Sequence, residues 1–466
     1  MESLRPKNLF QVAARAALLA PLLLPLEGAE TAPHRLEVFS RKFTKEASPE
    51  VRSAAVEDLV ECDDPEIAKR ILTKAFEDPE ATVNLTGVRI LSKCKDAPSI
   101  DWLVANGPKH EKPQVRHLSL LSLSRIADPR VPDLLVAALD DPSWLVASTA
   151  ARGLAVQKAA KGVPALLKSL EHKDLRVRIS AVDALAGLKA AEAAAPLMKL
   201  LEADKEWRVK SAVCDALVAL QAKDALAPLR RLRQTADGRL KDDLDQAIRA
   251  LEGGDPNDPL ANYGLKYRGI GTSSKRITFV LDCSLSTGAE LSFAAKKTPL
   301  EPGCENTKLG AAKSELIRTL NEYAKVKGGK FNMIFIHDDY DLWKPALVDA
   351  SADNIKLALK HVKLQKSAGR TNLGDALAAA LLIEDGGATD LKPETLKEVP
   401  DTLFIVSDGL SPNEGKYKHP ENLLEIVRDI NRFARVRIHG IATGGGDFLK
   451  QLSEQNHGTY VEKVEF

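Results

Sequence analysis

Apolar positions recur along the first half of the chain with a step of about 32 residues. Val51, Val83, Val115, Val146, Val177, Val209 and Leu240 form one series. A second aliphatic follows eight residues after each: Leu59, Leu91, Leu123, Leu154, Leu185, Leu217 and Ile248. Small and apolar residues at helical spacing fill the interval, as between Val177 and Leu185, which predicts one amphipathic inner helix per repeat. Pro132, Pro164, Pro196 and Pro228, spaced by 32, each precede another apolar stretch. Proline is tolerated in the first turn of a helix, where its missing N–H has no intrahelical partner. Each repeat therefore reads as two antiparallel helices, joined by turns such as Asp78-Pro79 and Asp141-Pro142. Such units bury their apolar faces only on one another, so the pattern predicts an α-solenoid of about seven helical-hairpin repeats over residues 40–252.

The period then changes. Gly253-Gly254-Asp255-Pro256 breaks the last helix, and the polar, glycine-bearing residues 253–274 read as a linker. Beyond it, strand patterns at Ile277–Leu281, Phe331–Ile336, Thr402–Val406, Val436–Ala442 and Thr459–Val461 alternate with helical patterns. The helices fall at Lys308–Ala324, Ala352–Val362, Asn372–Ile383, Asn422–Phe433 and Phe448–Gln455. Alternation at this spacing predicts βα crossovers and a doubly wound, Rossmann-like α/β domain over 275–466. The chain is thus expected to be multidomain, α followed by α/β.

Composition narrows the function. With 466 residues, 44% apolar and 28% charged, the chain is long enough for sizeable cores without disulfides. A net charge of +1 gives no electrostatic reason to expect nucleic acid, and 5% aromatics do not suit a stacking surface. The five cysteines form no CxxC pair and read as free thiols; Cys62 and Cys94 fall at equivalent repeat positions. Arg5, Lys7 and Arg15 precede an apolar run, Ala16 to Leu26, too short to span a bilayer. That pattern predicts a signal peptide over 1–32 and export to the periplasm or the extracellular space; uncleaved, it would leave the protein cytoplasmic. No other segment could cross a membrane.

The chemistry concentrates after the first apolar strand. Asp282-Cys283-Ser284-Leu285-Ser286 places one carboxylate and two hydroxyls where Ile277–Leu281 ends. Strand ends of a parallel sheet open onto a ligand crevice, and hard oxygen donors there suit Mg²⁺. Gly369-Arg370-Thr371-Asn372-Leu373-Gly374-Asp375 precedes a helix, and Ser407-Asp408-Gly409 follows another strand. Alternation along the strand turns Cys283 away from the ligand face. Asp338-Asp339-Tyr340-Asp341 reads as a solvated turn, with a second-cation role as the alternative. No HExxH, GxSxG or Walker pattern is present.

Two resemblances follow from these residues. Two helices per 32 residues with a V-R-x-x-A-x-x-A-L inner helix resembles HEAT-like repeats of the phycobilisome-lyase type. The three segments around Asp282, Thr371 and Asp408 resemble the metal-ion-dependent adhesion site of von Willebrand factor A domains. That resemblance implies a metal set of Ser284, Ser286 and Thr371 through their hydroxyls, with Asp282 and Asp408 acting directly or through water. Few carboxylates then touch the ion, and an Asp or Glu of a partner completes its shell. Leu285 stands where the family usually has glycine, and Ser407 where it often has threonine. A leucine there adds bulk beside the ion.

The expected function is non-enzymatic protein–protein interaction, with Mg²⁺, or Mn²⁺ or Ca²⁺, in the A domain and a second partner on the solenoid. An RNA-associated role like that of the Ro ribonucleoprotein family is the alternative, supported only by the basic stripe Arg230-Arg231-x-Arg233. A lyase or chelatase-type subunit is the third.

Overall fold

The computed structural model describes residues 31–254, 265–290, 299–382, 393–407, 420–444 and 446–462. Within these the helical repeats and the α/β region both form. The predicted leader, up to residue 30, lies outside the described residues. No helix among the described residues is long and apolar enough to cross a membrane.

Seven inner helices stack in sequence: Pro49–Glu57, Ala81–Leu91, Pro113–Leu123, Trp144–Val156, Leu175–Gly187, Trp207–Ala219 and Gly238–Glu252. Outer helices such as Val131–Ala138 and Val163–Ser169 carry the repeat proline in their first turn. The aliphatic series is buried from Val83 to Val209 and from Leu59 to Leu217. At the ends it is not: Val51 is 46% exposed, and Leu240 and Ile248 are only partly buried. Terminal repeats lack one neighbour, so their series positions relax.

One polar device also repeats. Arg52 donates to both oxygens of Asp78 at 2.6 and 2.9 Å, Arg116 to Asp141 at 2.9 Å twice, and Arg178 to Asp204 at 2.7 and 3.2 Å. Each carboxylate also accepts the N–H two residues on, from Glu80, Ser143 and Glu206. A forked guanidinium–carboxylate pair thus ties one inner helix to the turn that starts the next.

The second region is a twisted sheet with helices on both faces. Strands β1 (Leu265–Tyr267) and β2 (Ile270–Thr272) form a separate antiparallel pair. The main sheet contains β3 (Arg276–Asp282), β4 (Lys330–Ile336), β5 (Tyr340–Leu342), β6 (Val348–Asp349), β7 (Thr402–Ser407), β8 (Arg437–Ala442) and β9 (Tyr460–Val461). Its order is β5-β4-β3-β7-β8-β9, with β6 also on β4. The β4-β3-β7-β8-β9 core is parallel, and only β5 and β6 run antiparallel. Along β3, Ile277, Phe279 and Leu281 face one apolar layer, and Val280 faces the other.

Two segments differ from the sequence reading. Residues 265–272, assigned to the linker, form the β1–β2 hairpin. It turns at Arg268 and Gly269, with φ of 52° and 81°. Tyr267 is buried edge-on against Phe279 and Phe404 at 5.3 and 5.2 Å. Strands of three residues are too short to display a period of two. Likewise Tyr340 and Asp341, read as part of a turn, begin β5, whose residues are only partly buried.

The solenoid and the α/β domain share one apolar layer. It runs without a break from the inner helices through the helix Pro420–Ala434 to Val280, Ile334 and Ile405 of the sheet. Trp144 meets Phe433 edge-on at 5.6 Å, and Arg176 lies over the Trp144 ring at 3.6 Å. Arg437 at the start of β8 donates to Asp243 at 2.7 Å and Gln246 at 2.6 Å, while Arg239 also pairs with Asp243 at 2.9 Å. Arg435 pairs with Asp215, and Arg208 donates to the carbonyls of Ala434 and Leu396. Asp242 accepts the Ser273 N–H and the Thr272 hydroxyl, both at 2.8 Å, which anchors the hairpin. The inner-helix face from Trp144 onward therefore seats the chain's own second domain.

Candidate metal centre

The predicted site lies at the carboxyl edge of the sheet. There β3 is flanked by β4 and β7, and the chain leaves toward opposite sides. This is the switch point where open α/β sheets bind ligands. Asp282, the last residue of β3, is 2% exposed. Its Oδ1 accepts the Ser284 N–H at 2.8 Å, and its Oδ2 accepts the Ser407 hydroxyl at 2.7 Å. The carboxylate is thereby fixed between the ends of β3 and β7.

The hydroxyls gather beside it. Ser284 is buried, Ser286 is exposed, and their Oγ atoms are 3.0 Å apart. Thr287 donates its hydroxyl to the Ser284 carbonyl at 2.7 Å, tightening the turn. The Leu285 N–H donates to the Gly369 carbonyl at 3.0 Å, which ties this turn to the loop carrying Thr371. Thr371 is buried, and its hydroxyl makes no hydrogen bond among the described residues. Asn372 holds that loop from the other side: its N–H donates to the His337 carbonyl at 3.0 Å, and its Oδ1 caps the helix Leu373–Leu381 through the Asp375 N–H at 3.3 Å. Asp408, the fifth predicted ligand, lies outside the described residues.

The structure thus brings the Asp282–Ser286 turn, the Gly369–Asn372 loop and Ser407 together. Leu285 points outward, 68% exposed, while only its N–H is engaged in the loop contact. The bulk anticipated beside the ion is therefore directed to solvent. Cys283 is buried in the apolar layer, as the strand alternation requires, and burial pushes its thiol pKa well up.

Two supports escaped the sequence reading. Asp338 accepts the Arg370 N–H at 2.8 Å, so this aspartate braces the loop rather than merely meeting water. Gly369 sits at φ 71°, and a Cβ there would lie 2.7 Å from Asp338 Oδ2. Left-handed backbone and close approach together require glycine. A glycine two residues before the predicted metal threonine was the available signal. The stretch after Ser286 leaves and returns at a bridge between Glu290 and Thr307.

The donor set suits a hard divalent cation. It offers hydroxyls and one described carboxylate, and an ion there would retain much of its charge. Among the described residues no group of three or more His, Cys, Asp or Glu is placed to hold a metal ion. The basic stripe is neutralised: Arg230 pairs with Glu252, Arg231 with Glu202 at 2.7 Å, and Arg233 with Asp245 at 2.7 Å.

The fold and the comparisons agree on HEAT repeats followed by an α/β region similar to proteins that carry von Willebrand factor A domains. Residues 70–155, 131–213 and 163–252 match the family of HEAT repeats. The C-terminal part is similar to inter-alpha-trypsin inhibitor heavy chains, which carry von Willebrand A domains. Identity is 25% over 195 residues with heavy chain H3 of Pongo abelii, covering 41% of this chain and 19% of that protein. With heavy chain H4 of Homo sapiens it is 26% over 184 residues, covering 39% and 17%. The chain therefore spans about a fifth of the length of these relatives. Among solved structures, the complex of CpcE and CpcF of phycocyanin lyase from a Nostoc species is similar at 24% identity and a TM-score of 0.30, over 35% of this chain and 71% of that one.

Proposed function

We propose that this chain is a non-enzymatic interaction protein whose A-type domain takes an acidic group of a protein partner through Mg²⁺. Asp282, Ser284, Ser286, Thr371 and Asp408 would hold the ion, with Mn²⁺ or Ca²⁺ as substitutes. The observation that carries the reading is the pairing of a buried, doubly anchored Asp282 with a hydroxyl cluster that adds no further charge. An ion so held supplies residual positive charge and an open position for an outside carboxylate. The chain's own residues fix the Asp282 carboxylate by hydrogen bonds and keep the two loops in register through Leu285 and Gly369.

The solenoid then acts first as the seat of the A domain. A second partner would use the outer helices and the first repeats, where the A domain does not reach. Export remains part of the proposal and is checked by the N-terminal residue of the mature protein. The interaction reading is tested on a partner captured in Mg²⁺. Release by EDTA, and loss of capture in Asp282→Ala but not in Asp341→Ala, is the expected result. Capture that ignores both EDTA and Asp282→Ala would remove the metal from the account.

A further inference from the structure

A second candidate lies in the junction and differs in its chemistry from the hydroxyl-rich rim. A cavity of about 360 Å³ opens between the inner helices Trp144–Val156 and Leu175–Gly187 and the docking helix Pro420–Ala434. Exposed Val156 stands at its lip. Two ion pairs in its wall are complete: Arg152 with Asp429 at 3.0 Å, and Arg435 with Asp215. Two charged groups are not. Nε and Nη1 of Arg432 are buried and donate to nothing, while its Nη2 reaches only the Ser148 hydroxyl at 3.3 Å. Asp183 lines the same cavity and makes no hydrogen bond or ion pair among the described residues. It feels the fields of Arg435 and Arg432 without touching either.

Buried guanidinium N–H groups are ordinarily paired, because leaving them without acceptors is costly. Burial and the neighbouring Arg152 push Arg432 down to about 9, a strain that an anion would relieve. Burial pushes the Asp183 carboxyl upward, the direction of a group that shares a proton. The cavity wall therefore holds a guanidinium whose Nη2 makes one long hydrogen bond and whose neighbours on its two edges, Nε and Nη1, make none, together with an acceptor for a hydrogen.

We propose that this cavity binds a phosphoryl group that carries a proton, with Arg432 donating to its oxygens and Asp183 accepting its O–H. A planar guanidinium matches phosphate oxygens two at a time. Sulfate offers the same oxygens but no proton near neutral pH, so Asp183 selects against it. Because the lining comes from both domains, the bound group also holds the A domain on the solenoid and adds stability by mass action.

The test is calorimetric titration of the full chain in EDTA at pH 7 and constant ionic strength, with inorganic phosphate, glycerol phosphate and sulfate as probes. The EDTA makes the outcome independent of the metal-binding proposal. Saturable phosphate binding, at least about tenfold tighter than sulfate, is expected. Arg432→Gln should abolish it, Asp183→Asn should admit sulfate as readily as phosphate, and Arg230→Gln should change nothing. Glycerol phosphate binding as tightly as phosphate would assign a phosphate ester; binding of the free ion alone would assign inorganic phosphate. No saturable binding to the wild type, equal affinity for sulfate, or full binding by Arg432→Gln would overturn the proposal. Should Arg432→Gln fail to fold, the sulfate selectivity of Asp183→Asn decides the matter.

Discussion

The α/β domain has two polar surfaces, and they handle charge in opposite ways. The flank against the solenoid is dense with guanidinium and carboxylate groups, most of them matched: Arg437 and Arg239 share Asp243, Arg435 takes Asp215, and Arg152 takes Asp429. The carboxyl edge of the sheet instead gathers hydroxyls around a single described carboxylate, Asp282. Matched buried charge gives the junction a defined register, with Arg432 and Asp183 the exceptions. Sparse charge with ready oxygen donors would leave a cation only partly neutralised and able to recruit an outside acid, as proposed. On that proposal one domain is fixed on one side and receptive on the other.

Removing a centre of the matched network should do the most damage. Asp243→Ala strands two buried arginines, and a loss of about 3–5 kcal/mol is expected in urea unfolding of the full chain. A loss below about 1 kcal/mol would mean that the junction is solvated rather than buried.

His117 gives the junction a pH dependence. Burial holds it down to about 4, against an ordinary value near 6.5. The unfolded chain therefore binds the proton first. Stability from this group is complete above about pH 6.5 and falls at roughly 1.4 kcal/mol per pH unit toward pH 4. Asp401, pushed up to about 6 by burial, works in the opposite sense, gaining stability as the pH falls from about 6 toward 4. The comparison of wild type with His117→Gln isolates the histidine: the variant should lose less stability between pH 6.5 and 4.5. Parallel curves would contradict the assignment.

The rim is supported by smaller effects. Gly369→Ala forces a Cβ against Asp338 and should cost about 1–2 kcal/mol, with weakened Mg²⁺ binding. Unchanged Mg²⁺ affinity would detach Gly369 from the site. Smallest is Asp341→Ala, which removes a partly exposed partner of His361 at 2.9 Å. A change under about 0.5 kcal/mol is expected, and a larger one would show that β5 depends on that pair.

Much of this was legible in the chain. Repetition made the solenoid plain, because seven copies of one aliphatic spacing leave little room for another period. The strands β3, β4, β7 and β8 announced themselves as apolar runs, and Asp282, Ser284, Ser286 and Thr371 were placed by their position at strand and helix ends. The junction was not legible. Its pairs join residues about 200 positions apart, such as Asp243 and Arg437, and a helical repeat gives no sign of which charged face will meet another domain. The β1–β2 hairpin was missed because Leu265, Tyr267 and Ile270 are too few to form a pattern. Asp338 was misjudged for a related reason, since an acidic turn and a loop brace look alike until Gly369 is seen beside it.

The central claim is that the hydroxyl-rich rim binds a divalent cation through Asp282. Calorimetric titration of Mg²⁺ into the full chain and into Asp282→Ala tests it most directly. The account predicts one saturable site in the wild type and none in the variant, with both proteins equally folded by circular dichroism. Equal heats in the two, or none in the wild type, would contradict it and leave the rim as a structural relic beside a functional junction.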